Sequence, residues 1–282
     1  MTSARRWRLG GLLLVGLLVL AGWRLWGARP YAPFWTDGVV WHRDLYLITA
    51  GRLVRVQPGN GVIPVASVPP DTRLVAAADG IWMLSPLQAV QYPGGTRVDI
   101  PQAVAGLSLP VVHNRRPAMV VLGDGEPVLA VLDPQGWRWT TPFDVPSGVR
   151  GDVRLLASGR LLHAFAFYQG TIYYHFGVAN EKDPRWQPAV QADGWWTALM
   201  LDGQPVLARL NRSPRPGLIL SHEVRDGWSD FQQVPLDLPG PVGLFGKPDQ
   251  DGFMLLLPGE KGGWELEDYD LTQLRSRSEV RL

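Results

Sequence analysis

The sequence predicts an all-β fold: a six-bladed β-propeller of four-stranded antiparallel blades, preceded by one N-terminal hydrophobic helix. Three observations carry that expectation. The first is punctuation, since 32 glycines and 25 prolines make up about a fifth of the 282 residues, a density that suits many short elements joined by tight turns. The second is repetition. Cut at its Pro/Gly-rich joints, the chain from Asp37 to Leu282 divides into units 37–70, 71–103, 104–148, 149–193, 194–240 and 241–282, each of which parses into four short strands. Six units over 246 residues average 41 residues each, the period of a propeller blade. The third is the set of near-continuous apolar runs LLHAFAF, AMVVL, PVLAVL and FMLLL, as expected of inner strands covered on both faces.

The elements follow in chain order. Arg5, Arg6 and Arg8 precede an uncharged run from Leu9 to Trp23, which Arg24, Leu25, Trp26 and Arg29 follow. As a helix that run reaches about 22 Å, short of a hydrocarbon core of about 30 Å. Snorkelling by Arg24, with Trp23 and Trp26 at the interface, extends it. Residues 1–29 are therefore expected to be a cytoplasmic tip and a signal anchor with its core at 9–26, followed by a linker at 30–36. The alternative is a cleaved signal peptide and a secreted or periplasmic product, although bulky Trp23, Leu25 and Trp26 occupy the zone where cleavage needs small residues. Three arginines ahead of the apolar run place the N-terminus inside and the propeller outside the cytoplasmic membrane.

Within the body, the second unit reads as strands at 74–78, 81–85, 89–92 and 96–100, separated by Asp79-Gly80, Pro86-Leu87 and Pro93-Gly94-Gly95. The fifth reads as 196–201, 205–210, 217–223 and 228–235, with turns at Asp202-Gly203, the segment NRSPRP and Arg225-Asp226-Gly227.

Composition excludes several chemistries. The chain has no cysteine, hence no disulfide framework, thiolate metal site or catalytic thiol. All five charges of residues 1–29 are arginines, which leaves 22 basic against 26 acidic side chains in the rest, a net charge of −4. A mildly acidic body with scattered charge lacks the basic patch that nucleic acid requires. No nucleophile elbow, zincin, Walker A or dinucleotide motif is present, and no cofactor is expected.

Units three, four and five open their fourth strand with tryptophan after a turn, in DPQGWRWTTPFDVP, EKDPRWQPAVQ and RDGWSDFQQVP. This resembles the Trp-bearing hairpin of sialidase-like (Asp-box, BNR-type) propeller repeats and of propeller lectins. The Asp-box pattern S-x-D-x-G-x-T-W is eroded at Ser221 to Trp228, SHEVRDGW, where Glu223 takes the Asp position and Arg225 the Gly position. The resemblance implies the fold. The arginine motif of active sialidases has only a superficial counterpart in Asn114-Arg115-Arg116-Pro117, so the activity is not carried over.

Three groups of residues remain as site candidates. His163 and His175 become cross-strand neighbours if a three-residue turn at Tyr168-Gln169-Gly170 joins their strands, a weak metal pair for want of a third ligand; an aromatic ladder with Phe165, Phe167 and Tyr173 is the competing account. Among the acids, Asp79, Asp133, Asp202 and Asp226 fall in turns, where bonds to the backbone explain them, but Asp124 and Glu126 lie in a second-to-third-strand loop. Of the tryptophans, Trp137, Trp186, Trp228 and Trp264 recur in the repeats and are assigned to packing between blades. Trp195 and Trp196 fall instead at a joint between blades, on the rim that also carries Tyr168, Asp124, Glu126, Arg212 and Arg215. That rim is the expected binding surface. The function expected is a non-catalytic binding or assembly module for an envelope protein or a glycan, and the alternative is an extracytoplasmic glycan-active hydrolase or lyase with a degenerate signature.

Overall fold

The computed structural model describes residues 38–57, 61–100, 108–123, 126–143, 145, 153–158, 161–178, 186–192, 195–211, 217–236, 243–247, 252–259, 263–270, 273–280 and 282. The expected anchor and linker, residues 1–36, lie outside them. Twenty-four strands follow one another in the described residues and form six sheets. Blade 1 holds β1 (Gly38–Trp41), β2 (Asp44–Thr49), β3 (Arg52–Gln57) and β4 (Gly61–Ser67). Blade 2 holds β5 (Arg73–Ala77), β6 (Gly80–Leu84), β7 (Gln88–Tyr92) and β8 (Arg97–Asp99). In blade 3 these are β9 (Val111–His113), β10 (Arg116–Gly123), β11 (Glu126–Asp133) and β12 (Gly136–Pro142). Blade 4 comprises β13 (Val153–Ser158), β14 (Leu161–Tyr168), β15 (Thr171–Val178) and β16 (Gln187–Gln191). Blade 5 comprises β17 (Trp196–Leu201), β18 (Gln204–Asn211), β19 (Gly217–Val224) and β20 (Gly227–Pro235). Blade 6 is β21 (Gly243–Gly246), β22 (Phe253–Pro258), β23 (Trp264–Tyr269) and β24 (Leu274–Val280).

Every sheet is antiparallel with its strands in sequence order. The first strands of successive blades touch in turn, and β21 returns to β1, so six blades close into a ring with their first strands innermost. Alternation of direction then puts the second-to-third-strand turns and the joints between blades on one face, called upper here. The first-to-second and third-to-fourth turns fall on the lower face.

Apolar side chains from facing sheets fill the spaces between blades, which is what fixes each blade's angle to the next. Blade 1 meets blade 6 through Val40, Leu45, Leu47, Val54 and Val56 against Phe245, Met254, Leu256, Leu266 and Val280. Blade 4 meets blade 5 through Phe165, Ile172 and Tyr174 against Trp196 and Leu207. Among the described residues no strand is exchanged at the seam between blades 1 and 6, and side-chain packing joins them there. Gly38 is part of that closure, because a Cβ there would stand 2.4 Å from the Phe245 ring. Blades 2 and 6 share a second device. Gly80 and Gly252, with φ of 155° and 152°, let the start of the second strand lie against the carbonyl of Tyr92 or Tyr269, which a Cβ would approach to 2.4 and 2.1 Å.

Trp137 packs between blades 2 and 3, Trp186 between 3 and 4, and Trp228 between 4 and 5. Trp264 also packs at a seam, between blades 6 and 1, but from the first position of the third strand. Its place in the repeat therefore differs from that of Trp137 and Trp228, each of which is the second residue of a fourth strand.

The hairpin register of blade 4 is corrected by one residue. Tyr168 pairs with Thr171, so the turn has two residues, Gln169 and Gly170, with φ of 49° and 80°. Both are left-handed, the requirement of a tight type I′ turn whose twist matches the strands. His163 accordingly opposes Phe176, and His175 opposes Ala164. A one-residue slip reverses every face, so the two histidines point to opposite sides of the sheet and share no metal. His163 stacks on Tyr174 with ring centroids 6.1 Å apart, and His175 lies 5.6 Å from Trp186.

Candidate functional site

The expected rim residues separate once their side chains are assigned to faces. Trp196 opens β17 and is only 3% exposed, packed with Phe165 and Leu207 and 6.4 Å from Phe167. It belongs to the core between blades 4 and 5. Trp195 is half-buried just before the strand, and its carbonyl accepts the Leu210 N–H at 3.3 Å. Tyr168 ends β14 and accepts a bond from Gln169 Nε2 at 3.0 Å; alternation from Ala164, which packs toward blade 3, turns it to that side, away from Trp196. Glu126 is exposed at the start of β11, on the side turned to blade 2 with Leu132. Asp124, Arg212 and Arg215 lie outside the described residues. The upper face thus carries the described candidates, and of these the space between blades 4 and 5 receives Trp196.

That space contains charged groups that the sequence reading did not single out. The Arg154 guanidinium on β13 stands 5.5 Å over the Trp196 ring, a cation–π contact. Arg209 opposes Trp196 across the β17–β18 pair and extends over blade 5 to Asp230, with bonds of 3.0 and 2.8 Å to its two oxygens. Ser221, fully buried, donates to the same carboxylate at 2.6 Å. Burial raises the Asp230 pKa, but the bonds from Arg209 and Ser221 and the arginine charge outweigh it and hold the carboxyl below its usual range. Asp230 is therefore a fixed acceptor, not a proton donor. Its position had a signal in the sequence: Ser221 and Asp230 fall at positions that alternation assigns to the packed face of blade 5, where a charged residue needs a partner.

Deeper in the same space Tyr174 joins two other groups. His163 Nδ1 lies 3.1 Å from the Tyr174 hydroxyl, and Glu223 hydrogen-bonds the same residue; burial first, then this carboxylate, pushes the phenol well above its ordinary value. Burial also lowers the His163 pKa. Glu223 occupies the Asp position of the eroded box, and here it serves the packing of two blades. Among the described residues no three His, Asp or Glu side chains gather into a group able to hold a metal ion. The arrangement offers a guanidinium stacked on an indole and a pinned carboxylate. These groups can bind hydroxyls and sugar C–H faces.

No protein-family model matches this chain, and neither does any curated protein. Solved structures match by fold. AofleA from Arthrobotrys oligospora superposes with a TM-score of 0.56 at 8% identity, over 88% of each chain. A fungal lectin from Aleuria aurantia, described as a six-bladed β-propeller with a fucose recognition mode, gives 0.53 at 12% identity over 84% of this chain and 90% of its own. PorZ of Porphyromonas gingivalis, a surface component of the type-IX secretion system, gives 0.50 at 11% identity, over 89% of this chain and 38% of that one. At these identities the likeness establishes the six-bladed fold.

Proposed function

We propose that this protein is a non-catalytic glycan-binding propeller, held outside the cytoplasmic membrane by its hydrophobic segment at residues 9–26. The observation that carries the reading is the space between blades 4 and 5, where the Arg154–Trp196 stack and the Arg209–Asp230 pair share one side of blade 5, with half-buried Trp195 just before β17 on the upper face. A flat ring with fixed donors and one fixed acceptor suits a sugar. Lectins among the fold neighbours, including one crystallised with Fucα1-6GlcNAc, support a glycan as the ligand class.

A glycan array probed with the full-length protein tests this. Selective binding that Trp195→Ala abolishes, with the fold retained, is the expected outcome; an array without selective signal overturns it. A second reading, docking to an envelope protein, is favoured by the likeness to PorZ. Crosslinking and pull-down from membranes, run beside the array, separate the two: a specific protein partner with no glycan signal supports docking.

A further inference from the structure

We propose that the upper face of blades 2 and 3 docks on the lipid surface, with Leu87 and Leu122 inserted among the headgroups. The docking rests on the anchoring of the chain through residues 9–26 proposed above. Leu87 is 69% exposed, the highest value for a large hydrophobic side chain among the described residues, and Leu122 is 45% exposed. Leu87 sits in the turn between β6 and β7, and Leu122 stands next to the end of β10. Both therefore belong to second-to-third-strand corners of neighbouring blades, on one face.

The Leu87 corner holds its side chain out. The Ser85 N–H and the Ser85 hydroxyl both donate to the Gln88 carbonyl at 2.9 Å, and the Gln88 N–H donates to the Ser85 hydroxyl at 3.3 Å. Ile100, buried between blades 2 and 3, donates its N–H to the Leu87 carbonyl at 2.8 Å. Pro86 fixes one further dihedral. An apolar side chain on so rigid a corner loses little conformational freedom when it inserts.

The chain ahead of β1 selects the occupant. Gly38 opens β1 on the upper face, and residues 27–37 separate it from the end of the hydrophobic segment. Fully extended, that tether reaches no more than about 40 Å. Because β1 is an innermost strand, turning the lower face to the lipid would take the tether out across the blade and down its side. Three strand spacings and a strand of about six residues use up about 35 Å of it. The upper face is the one within easy reach, and a short tether holds it there at high effective concentration, so that a contact too weak for a free protein becomes occupied. Exposed Arg52 and Arg73 on this face are matched by exposed Asp71 and Glu126, which leaves apolar insertion, not charge, to make the contact. The space between blades 4 and 5 lies further round the ring and keeps its access to a glycan.

Spin-label accessibility tests the docking, and with no cysteine in the chain each label is unique. The full-length protein, one chain per phosphatidylcholine nanodisc, carries a nitroxide at Leu87→Cys or Glu126→Cys on the upper face, or at Asp79→Cys or Asp202→Cys in lower-face turns. The upper labels are expected to lose collisions with a water-soluble nickel chelate and to gain collisions with oxygen relative to the lower ones, equally at physiological and at high salt. Leu87→Asp combined with Leu122→Asp should return the Glu126→Cys label to the lower-face level. Equal accessibility of all four labels overturns the docking and leaves the anchor standing, and so does shielding that survives the double substitution. A chain that does not enter nanodiscs sinks anchor and docking together. A glycan array without selective signal, alongside shielded upper labels, counts against the glycan reading alone.

Discussion

Asp230 and His163 lie in the same inter-blade space, and both give pH dependence of one sign through different physics. Asp230 is held below its ordinary carboxyl range by Arg209 and Ser221. As pH falls, the unfolded chain takes up that proton first, so the stabilisation is complete above the ordinary value and fades on acidification. His163 is a base whose pKa burial lowers; again the unfolded state binds the proton first, and its contribution is full above about pH 6.5 and is lost below it. Urea midpoints measured from pH 7.5 downward should therefore fall for the native protein. His163→Phe should shrink the loss near pH 6 without abolishing it, because His113 is lowered by burial in the same way. Midpoints that do not change with pH would contradict both assignments. Ser221→Ala, which leaves a bidentate pair but removes a fully buried donor, should cost about 1 kcal/mol in chemical denaturation.

Single elements show where the sequence was legible. The fifth unit's expected strands fall within one residue of those observed, because Asp-Gly turns and Pro-rich joints specify their own geometry. The blade 4 hairpin failed for a local reason: Gln169 adopts a left-handed φ that side chains rarely take, and nothing in the sequence marks it as part of a two-residue turn. The candidate site was less legible than the strands. Trp195 and Trp196 were found as a pair, but adjacent residues at the start of a strand do not share an environment. The ladder Arg209–Ser221–Asp230 spans three strands, and although alternation puts Ser221 and Asp230 on the packed face, composition does not disclose which basic residue of another strand meets them. The tryptophans make that distinction measurable. Trp228→Ala should cost about 2–4 kcal/mol by opening a cavity against Phe165 and Tyr174, whereas Trp195→Ala should cost no more than about 1 kcal/mol. Equal losses in thermal or urea denaturation would place Trp195 in the core.

At the scale of the molecule, the ring rests on contacts between neighbours. Repetition was readable because each blade is a consecutive segment with its own turns, but closure was not, since it depends on residues some two hundred positions apart, such as Gly38 and Phe245. With no strand crossing the seam between blades 1 and 6 among the described residues, a permuted chain that begins at Arg73 and joins Val280 to Gly38 through a short linker should fold. Both junction ends lie on the upper face. Circular dichroism and a single cooperative melt would check it; an unfolded permutant would show that chain order matters to closure.

Phe245→Ala should cost about 3–5 kcal/mol, and its effect should reach beyond stability. The seam joins two faces made for each other, Val40, Leu45 and Leu47 on one side and Phe245, Met254 and Leu256 on the other. An opened ring is an arc whose ends are mutually adhesive, and two arcs can each supply what the other lacks. The variant should consequently form reciprocal dimers whose population rises with protein concentration in sedimentation. The same unclasped joint thus turns an opened ring into a link of a larger chain.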